Sequence, residues 1–277
     1  MTACEWQVQL VSGGRFLTDG GAMFGVVPKS LWSRTIDVDD QNRIQQDTCC
    51  LLVRGGGRVI LVDTGYGGKL SEKQRAWMGA ETGAPLLRSL ARHGVAPTDV
   101  TDVVFSHLHY DHCGGASILP DESDVASPAF PNATHHVQAL EWEIAHDDSP
   151  ELKGAYPREN LTPLADVRWQ FADGESDLWP GFRVVPSPGH TMGHQSIVIS
   201  TERETIAYLG DLVPTSRHFP TLWCMAYDVH LLATRRSKLQ LLGQAADHGW
   251  TVVLNHDPDR PTARVQRDQR KGFRIAE

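Results

Sequence analysis

FSHLHYDHCGG (residues 105–115) decides how this chain reads. It comes out of an apolar run, VTDVVFS (100–106), which predicts a buried strand. His107, His109, Asp111 and His112 then place four metal-ligating side chains within six residues. In extended backbone, side chains two apart point to the same side, so His107 and His109 can grip one ion. A helix would set them on opposed faces. Asp111 and His112 lie beyond a turn, where they can face a second ion. Imidazole and carboxylate ligands suit Zn²⁺ and other borderline divalent metals. With 13 His in 277 residues, this pattern arises by accident in roughly one of 450 such chains.

Four side chains do not complete two coordination spheres, so partners are expected downstream. SPGHTMGH (187–194) offers His190 in a Pro/Gly turn after the strand-like FRVVPS. YLGDLVP (208–214) offers Asp211, and VVLNHDP (252–258) offers His256. Each candidate follows an apolar strand and opens a loop. Such positions gather at one edge of a sheet, where rigid strands aim loop residues at a shared site.

Further out, strands are expected at 6–12, 48–53, 58–62, 182–187, 195–200, 204–210 and 251–255. Helices are expected at 85–93, 138–146 and 229–248. The 48–62 segment reads as a hairpin turning at Gly55–Gly57. No low-complexity linker or repeat interrupts the chain, so one continuous domain over 1–277 is expected, with helices packed on β-sheets. GGAMFGVVPKSLW, inside a loop-like stretch from 13 to 47, reads either as packing against the core or as a wall of a substrate pocket. Met23, Phe24, Trp32, Phe219, Leu222 and Trp223 carry the same two readings.

Composition narrows the class. Net charge is 26 − 34 = −8, which gives no drive toward nucleic acid or an anionic membrane surface. The late basic cluster of Arg260, Arg264, Arg267, Arg270, Lys271 and Arg274 reads as a solvated terminal segment. MTACEWQVQLVSGG (1–14) has neither a basic n-region nor an apolar h-region, so no secretory signal is expected. Five cysteines without regular spacing fit a reducing cytoplasm.

The order HxHxDH, PGHTxGH, GD and a late NHD, with an early VDTG (62–65), resembles the metallo-β-lactamase superfamily from about residue 48 to 258. HLHYDHCGG, SPGHTMGHQS, DGGAMFGVVPKSLW, GDLVPT and LWCMAYD resemble its N-acyl homoserine lactonase-like branch, which includes YtnP-type enzymes. The resemblance implies an α/β (α+β) fold, a four-layer αβ/βα sandwich of two mixed sheets flanked by helices. It implies one ion on His107, His109 and His190, a second on Asp111, His112 and His256, and Asp211 bridging them. The ions are expected to be Zn²⁺, with Fe, Co or Mn as alternatives. Two such ions sharing one water lower its pKa from about 15.7 toward about 7. The resulting bridging hydroxide would attack a lactone carbonyl, with Asp111 orienting it or passing a proton.

One departure stands out. Known lactonases of the group place a catalytic Tyr three residues after the bridging Asp, and here that residue is Pro214. Tyr227 is the candidate phenol in its place, an ordinary packed Tyr being the alternative. Asp63 is expected to anchor the metal histidines or their backbone from behind, a plain turn residue being the alternative. His194 is expected to belong to the turn, Cys113 to be a small packed residue, and His135 and His136 to be surface or structural residues. The implied function is hydrolysis of N-acyl homoserine lactones, a quorum-quenching activity on a small-molecule partner, with a homodimer as an open assembly. Same-fold hydrolysis of thioesters or organophosphate triesters, a mononuclear iron persulfide dioxygenase, and a metal-binding protein without activity stay as alternatives.

Overall fold

Strands form where β-branched and apolar residues run together. The structure, a computed structural model, describes residues 5–120 and 123–276. It divides into two compact units: the described residues up to Arg15 with Thr48–Gly174, and Phe16–Asp47 with the described residues from Glu175 on. The strands met first are β1 (Gln7–Asp19), β2 (Arg43–Gly55), β3 (Arg58–Val62), β4 (Asp102–Val104), a short ribbon β5 (Ser117–Ile118) and β6 (Ser127–Pro128), β7 (Thr134–Gln138) and β8 (Arg168–Ala172). A six-stranded sheet runs β1-β2-β3-β4-β7-β8. β2 and β3 make the expected antiparallel hairpin, while β3, β4, β7 and β8 are parallel neighbours.

Parallel strands need crossovers. The helix Pro85–Arg92, started by Pro at its first turn, lies between β3 and β4, and Ala139–Ala145 lies between β7 and β8. β3, β4 and β7 therefore deliver their following residues, from Asp63, Phe105 and Ala139, to one sheet edge. Leu52, Leu61, Leu90, Val103, Phe105 and Phe130 belong to the buried core of this unit.

The second unit carries β9 (Ser176–Trp179), β10 (Phe182–Pro186), β11 (Gln195–Ser200), β12 (Thr205–Tyr208), β13 (Thr251–Val253), β14 (Thr262–Asp268) and β15 (Gly272–Ile275), paired in sequence order. β10, β11 and β12 alternate in direction, so β10 and β12 point the same way. β13 is parallel to β12, across the helix Leu231–His248. That helix is capped by His230, whose Nδ1 accepts from Ala233 N–H, and it stops at left-handed Gly249. β10, β12 and β13 end on one edge, and the chain leaves them toward His190, Asp211 and His256.

The sequence reading does not place β8, β9, β14 or β15, and it reads 13–47 as one long loop. β1 continues to Asp19 and β2 begins at Arg43, so the expected long loop shrinks and holds two short helices, Gly20–Phe24 and Lys29–Trp32. Met23, Phe24, Trp32, Ile44 and Met225 form a buried cluster, with Phe24 stacked on both Trp32 and His218. Phe219 is buried as well and Leu222 is exposed. Packing, not a pocket wall, is what Met23, Phe24 and Trp32 show. The basic C-terminal segment is a hairpin whose basic side chains are solvated, as expected: Ala263, Val265 and Phe273 turn into the core, while Arg260, Arg264, Arg267, Arg270, Lys271 and Arg274 stay exposed, Arg267 in a two-bond ion pair with Asp247. Among the described residues, no helix is long and apolar enough to cross a membrane.

Candidate metal-ligand clusters

In the first unit the chain leaves β4 extended, with His109 at φ −62° and ψ 155°, and then enters the one-turn helix Tyr110–Cys113. His107 and His109 precede that turn, and Asp111 and His112 sit within it. The His107 ring lies 4.5 Å from the His109 ring and 4.0 Å from the His112 ring, centroid to centroid. Asp111 Oδ1 is 4.0 Å from His112 Nε2. His107 and His112 are buried.

Asp63 organises this cluster. It holds a left-handed backbone, φ 56°, a conformation Asp tolerates better than most residues. Its carboxylate accepts Ser106 N–H (2.7 Å), Ser106 O–H (2.6 Å) and His112 Nδ1–H (2.7 Å). A carboxylate only accepts, so the Ser106 proton is committed to it. Ser106 Oγ, 3.0 Å from His107 Nδ1, must then accept from that nitrogen. Both imidazoles therefore carry their proton on Nδ1 and their lone pair on Nε2, the tautomer that can ligate a metal through Nε2. The glycines after the motif serve close approach: a Cβ on Gly115 would stand 2.1 Å from the carbonyl oxygen of Thr64, in the turn that carries Asp63. Cys113 is buried, its thiol donates to Leu108 O (3.2 Å), and burial pushes its pKa up. It packs, as expected.

The second unit shows the same logic. His190 Nδ1–H donates to Asp228 Oδ1 (3.1 Å), and its Nε2 faces Asp211 Oδ2 at 3.2 Å. His256 Nδ1–H donates to the Asp47 carbonyl (2.7 Å), and its Nε2 faces Asp211 Oδ1 at 3.1 Å. Each oxygen of one carboxylate thus meets one imidazole nitrogen whose ring proton is spent elsewhere. Lone pair facing lone pair is repulsive, so this arrangement calls for a cation: a second proton on each ring, or a metal ion. The donor set, His nitrogen and carboxylate oxygen, fits a divalent ion of the zinc type. Asn255 Nδ2–H donates to Asp211 Oδ1 (2.7 Å) and fixes the carboxylate plane.

His194 is not arranged as a ligand. Its Nε2 accepts Asp211 N–H (3.2 Å), so its Nδ1–H donates to Ser187 Oγ (2.8 Å). Ser187 passes the direction on to Ser196 (2.9 Å), and Ser196 to Leu209 O (3.4 Å). Both ring nitrogens serve the turn. Gly189 shapes that turn with φ +142°, and a Cβ there would lie 2.2 Å from Thr234 N.

A family model described as the metallo-beta-lactamase superfamily matches residues 46–256. The chain belongs to the metallo-beta-lactamase superfamily. Among curated relatives, the N-acyl homoserine lactonase AttM of Rhizobium radiobacter is 33% identical over 173 residues, covering 60% of this chain and 61% of AttM. An N-acyl homoserine lactonase of Bacillus cereus is 27% identical over 178 residues, 61% of this chain and 64% of that enzyme. The chain thus spans less than two thirds of these relatives' length. Among solved structures, a probable metal-dependent hydrolase from Staphylococcus aureus aligns with TM-score 0.87 at 27% identity, over 100% of this chain and 99% of that one. AidC, a dizinc quorum-quenching lactonase solved with a product, aligns with TM-score 0.80 at 22% identity, over 100% and 95%. The expected fold class, mixed sheets flanked by helices, is that of this superfamily.

Three of this superfamily member's supporting residues escape sequence reading: Asp228, Asn255 and the Asp47 carbonyl. Asn255 was in sight as the neighbour of His256. Asp228 lies 38 positions from His190, and a backbone carbonyl carries no side-chain signal. Tyr227, next to Asp228, is about half exposed, and its hydroxyl lies 3.1 Å from Thr18 Oγ1. His135 and His136 are buried on β7, and His136 Nε2 pairs with Asp102 at 2.9 Å, a structural role.

Proposed function

We propose that residues 1–277 act as one domain, a dinuclear metal-dependent hydrolase that opens N-acyl homoserine lactones. His107, His109 and His190 would hold one divalent ion, Asp111, His112 and His256 the second, and Asp211 both. Zinc is the proposed metal. The observation that carries this reading is the Asp211 carboxylate set between the Nε2 atoms of His190 and His256, each ring fixed from behind through Nδ1. The lactonase relatives and the dizinc neighbour support the choice of substrate and the count of two ions.

Divalent ions so held supply Lewis acidity and make water a nucleophile at neutral pH. The rest falls to the chain. Asp63, Asp228, Asn255 and the Asp47 carbonyl hold the ligating atoms in place before substrate arrives, so little reorganisation accompanies reaction. Asp111, partly exposed, is proposed to accept a proton from the attacking water and return it to the alkoxide as the ring opens. Tyr227 O–H is proposed to donate to the lactone, in place of the Tyr that Pro214 replaces. No serine or cysteine nucleophile is required.

The test is proton release on adding short- and long-chain acyl homoserine lactones to zinc-loaded protein, beside an Asp211→Asn, His256→Ala variant. Release that the variant loses supports the proposal. No release from protein holding two ions overturns the lactone reading and points to thioesters or phosphotriesters.

A further inference from the structure

Glu141 is an acid with no part in the proposed chemistry, yet it is fully buried in the first turn of Ala139–Ala145 while Glu143 of the same helix is exposed. Burying a carboxylate is costly unless donors meet it. Glu141 Oε1 accepts two: Leu108 N–H at 2.9 Å and Tyr156 O–H at 3.0 Å. Leu108 is the residue between His107 and His109. Its N–H belongs to the peptide that joins it to His107, and its C=O begins the peptide leading to His109. The carbonyl is held as well, by the Cys113 thiol at 3.2 Å. Fixing both ends of Leu108 fixes the Cα–Cβ directions of the two histidines.

Tyr156 adds a second hold. It is buried, and its ring packs edge-on against the His109 ring, centroids 4.8 Å apart and planes at 64°. The adjacent Ala155 carbonyl accepts Tyr110 N–H at 2.9 Å. The segment 155–156 therefore braces His109 from its side chain and from the next backbone unit. Three distant pieces of chain, 108–110, 141 and 155–156, meet around one imidazole, and β7 ending on the same edge as β4 is what brings Glu141 there.

We propose that Glu141 and Tyr156 are positioning residues for His109, setting its imidazole before an ion arrives. This rests on the reading of His109 as a metal ligand. The test is stepwise Zn²⁺ affinity, by competition with a chromophoric chelator, for wild type, Glu141→Gln, Glu141→Leu and Tyr156→Phe, with folding checked by near-UV circular dichroism. Gln keeps an oxygen for both donors and should stay near wild type. Glu141→Leu should weaken one of two ions by about 10–100-fold, the range for lost outer-sphere partners, and Tyr156→Phe should weaken the same ion. If Glu141→Leu does not fold, Tyr156→Phe decides alone. Wild-type affinity in every folded variant overturns the proposal and leaves the metal reading standing. A wild-type chain that takes up no ion overturns both.

Discussion

Asp63→Asn tests the organisation of the first cluster most directly. Asp63 Oδ2 receives two of the three donors, Ser106 O–H at 2.6 Å and His112 Nδ1–H at 2.7 Å. Asn retains one acceptor oxygen for Ser106 N–H and puts an NH₂ where Oδ2 stood, donor against donor. Hydrogen bonds to a charged group contribute about 1.5–3 kcal/mol each. Losing two costs about 3–6 kcal/mol, and rotation of the Ser106 hydroxyl toward another acceptor brings the expectation to about 3 kcal/mol. The backbone does not confuse the result, since Asn accepts the left-handed φ of 56° at least as well as Asp. Urea unfolding of the metal-free protein reads the loss as a lower midpoint at constant slope. Nitrogen NMR of the His112 ring reads its cause, because the proton should leave Nδ1. An unfolding free energy within about 0.5 kcal/mol of wild type, with the ring proton still on Nδ1, would refute the reasoning.

Acid should destabilise the fold through two histidines outside the clusters. Burial holds His135 at about 4 and His218 at about 3, against an ordinary 6.5. Both are depressed, so the unfolded chain takes up protons first. Stability is intact above about pH 6.5 and falls below it, by about 2 kcal/mol for each histidine at pH 5. His135→Phe, packed against Phe105 and Trp169, should flatten its share of the pH profile in urea unfolding, and an unchanged profile would contradict it. Gly189→Ala should melt well below wild type and lose zinc affinity, because its Cβ meets the Thr234 backbone at 2.2 Å in a φ of +142°; a variant that melts and binds zinc like wild type would contradict this. Chelation should lower the melting temperature of zinc-loaded protein, and adding zinc back should restore it in proportion to the logarithm of its excess over Kd.

The spacing within residues 107–112 was enough to indicate metal chemistry, because four ligands in six residues need no distant information. The strands feeding the candidates were also legible, since β-branched runs such as FRVVP before His190 and TVV before His256 declare themselves locally. Charge hid β14 and β15: arginines on the outward positions masked the alternation of Ala263 and Val265. The loop aromatics Phe24 and Trp32 read equally as wall or core, and only packing against His218 and Met225 settled them. What the sequence determined by itself was which side chains can ligate and that each starts a loop after a strand. Tertiary structure alone decided which nitrogen His112, His190 and His256 present. That choice is made by oxygens from Asp63, Asp228 and the Asp47 carbonyl, up to 209 positions away in the chain, and hydrogen-bond direction exists only once donor and acceptor are brought within reach.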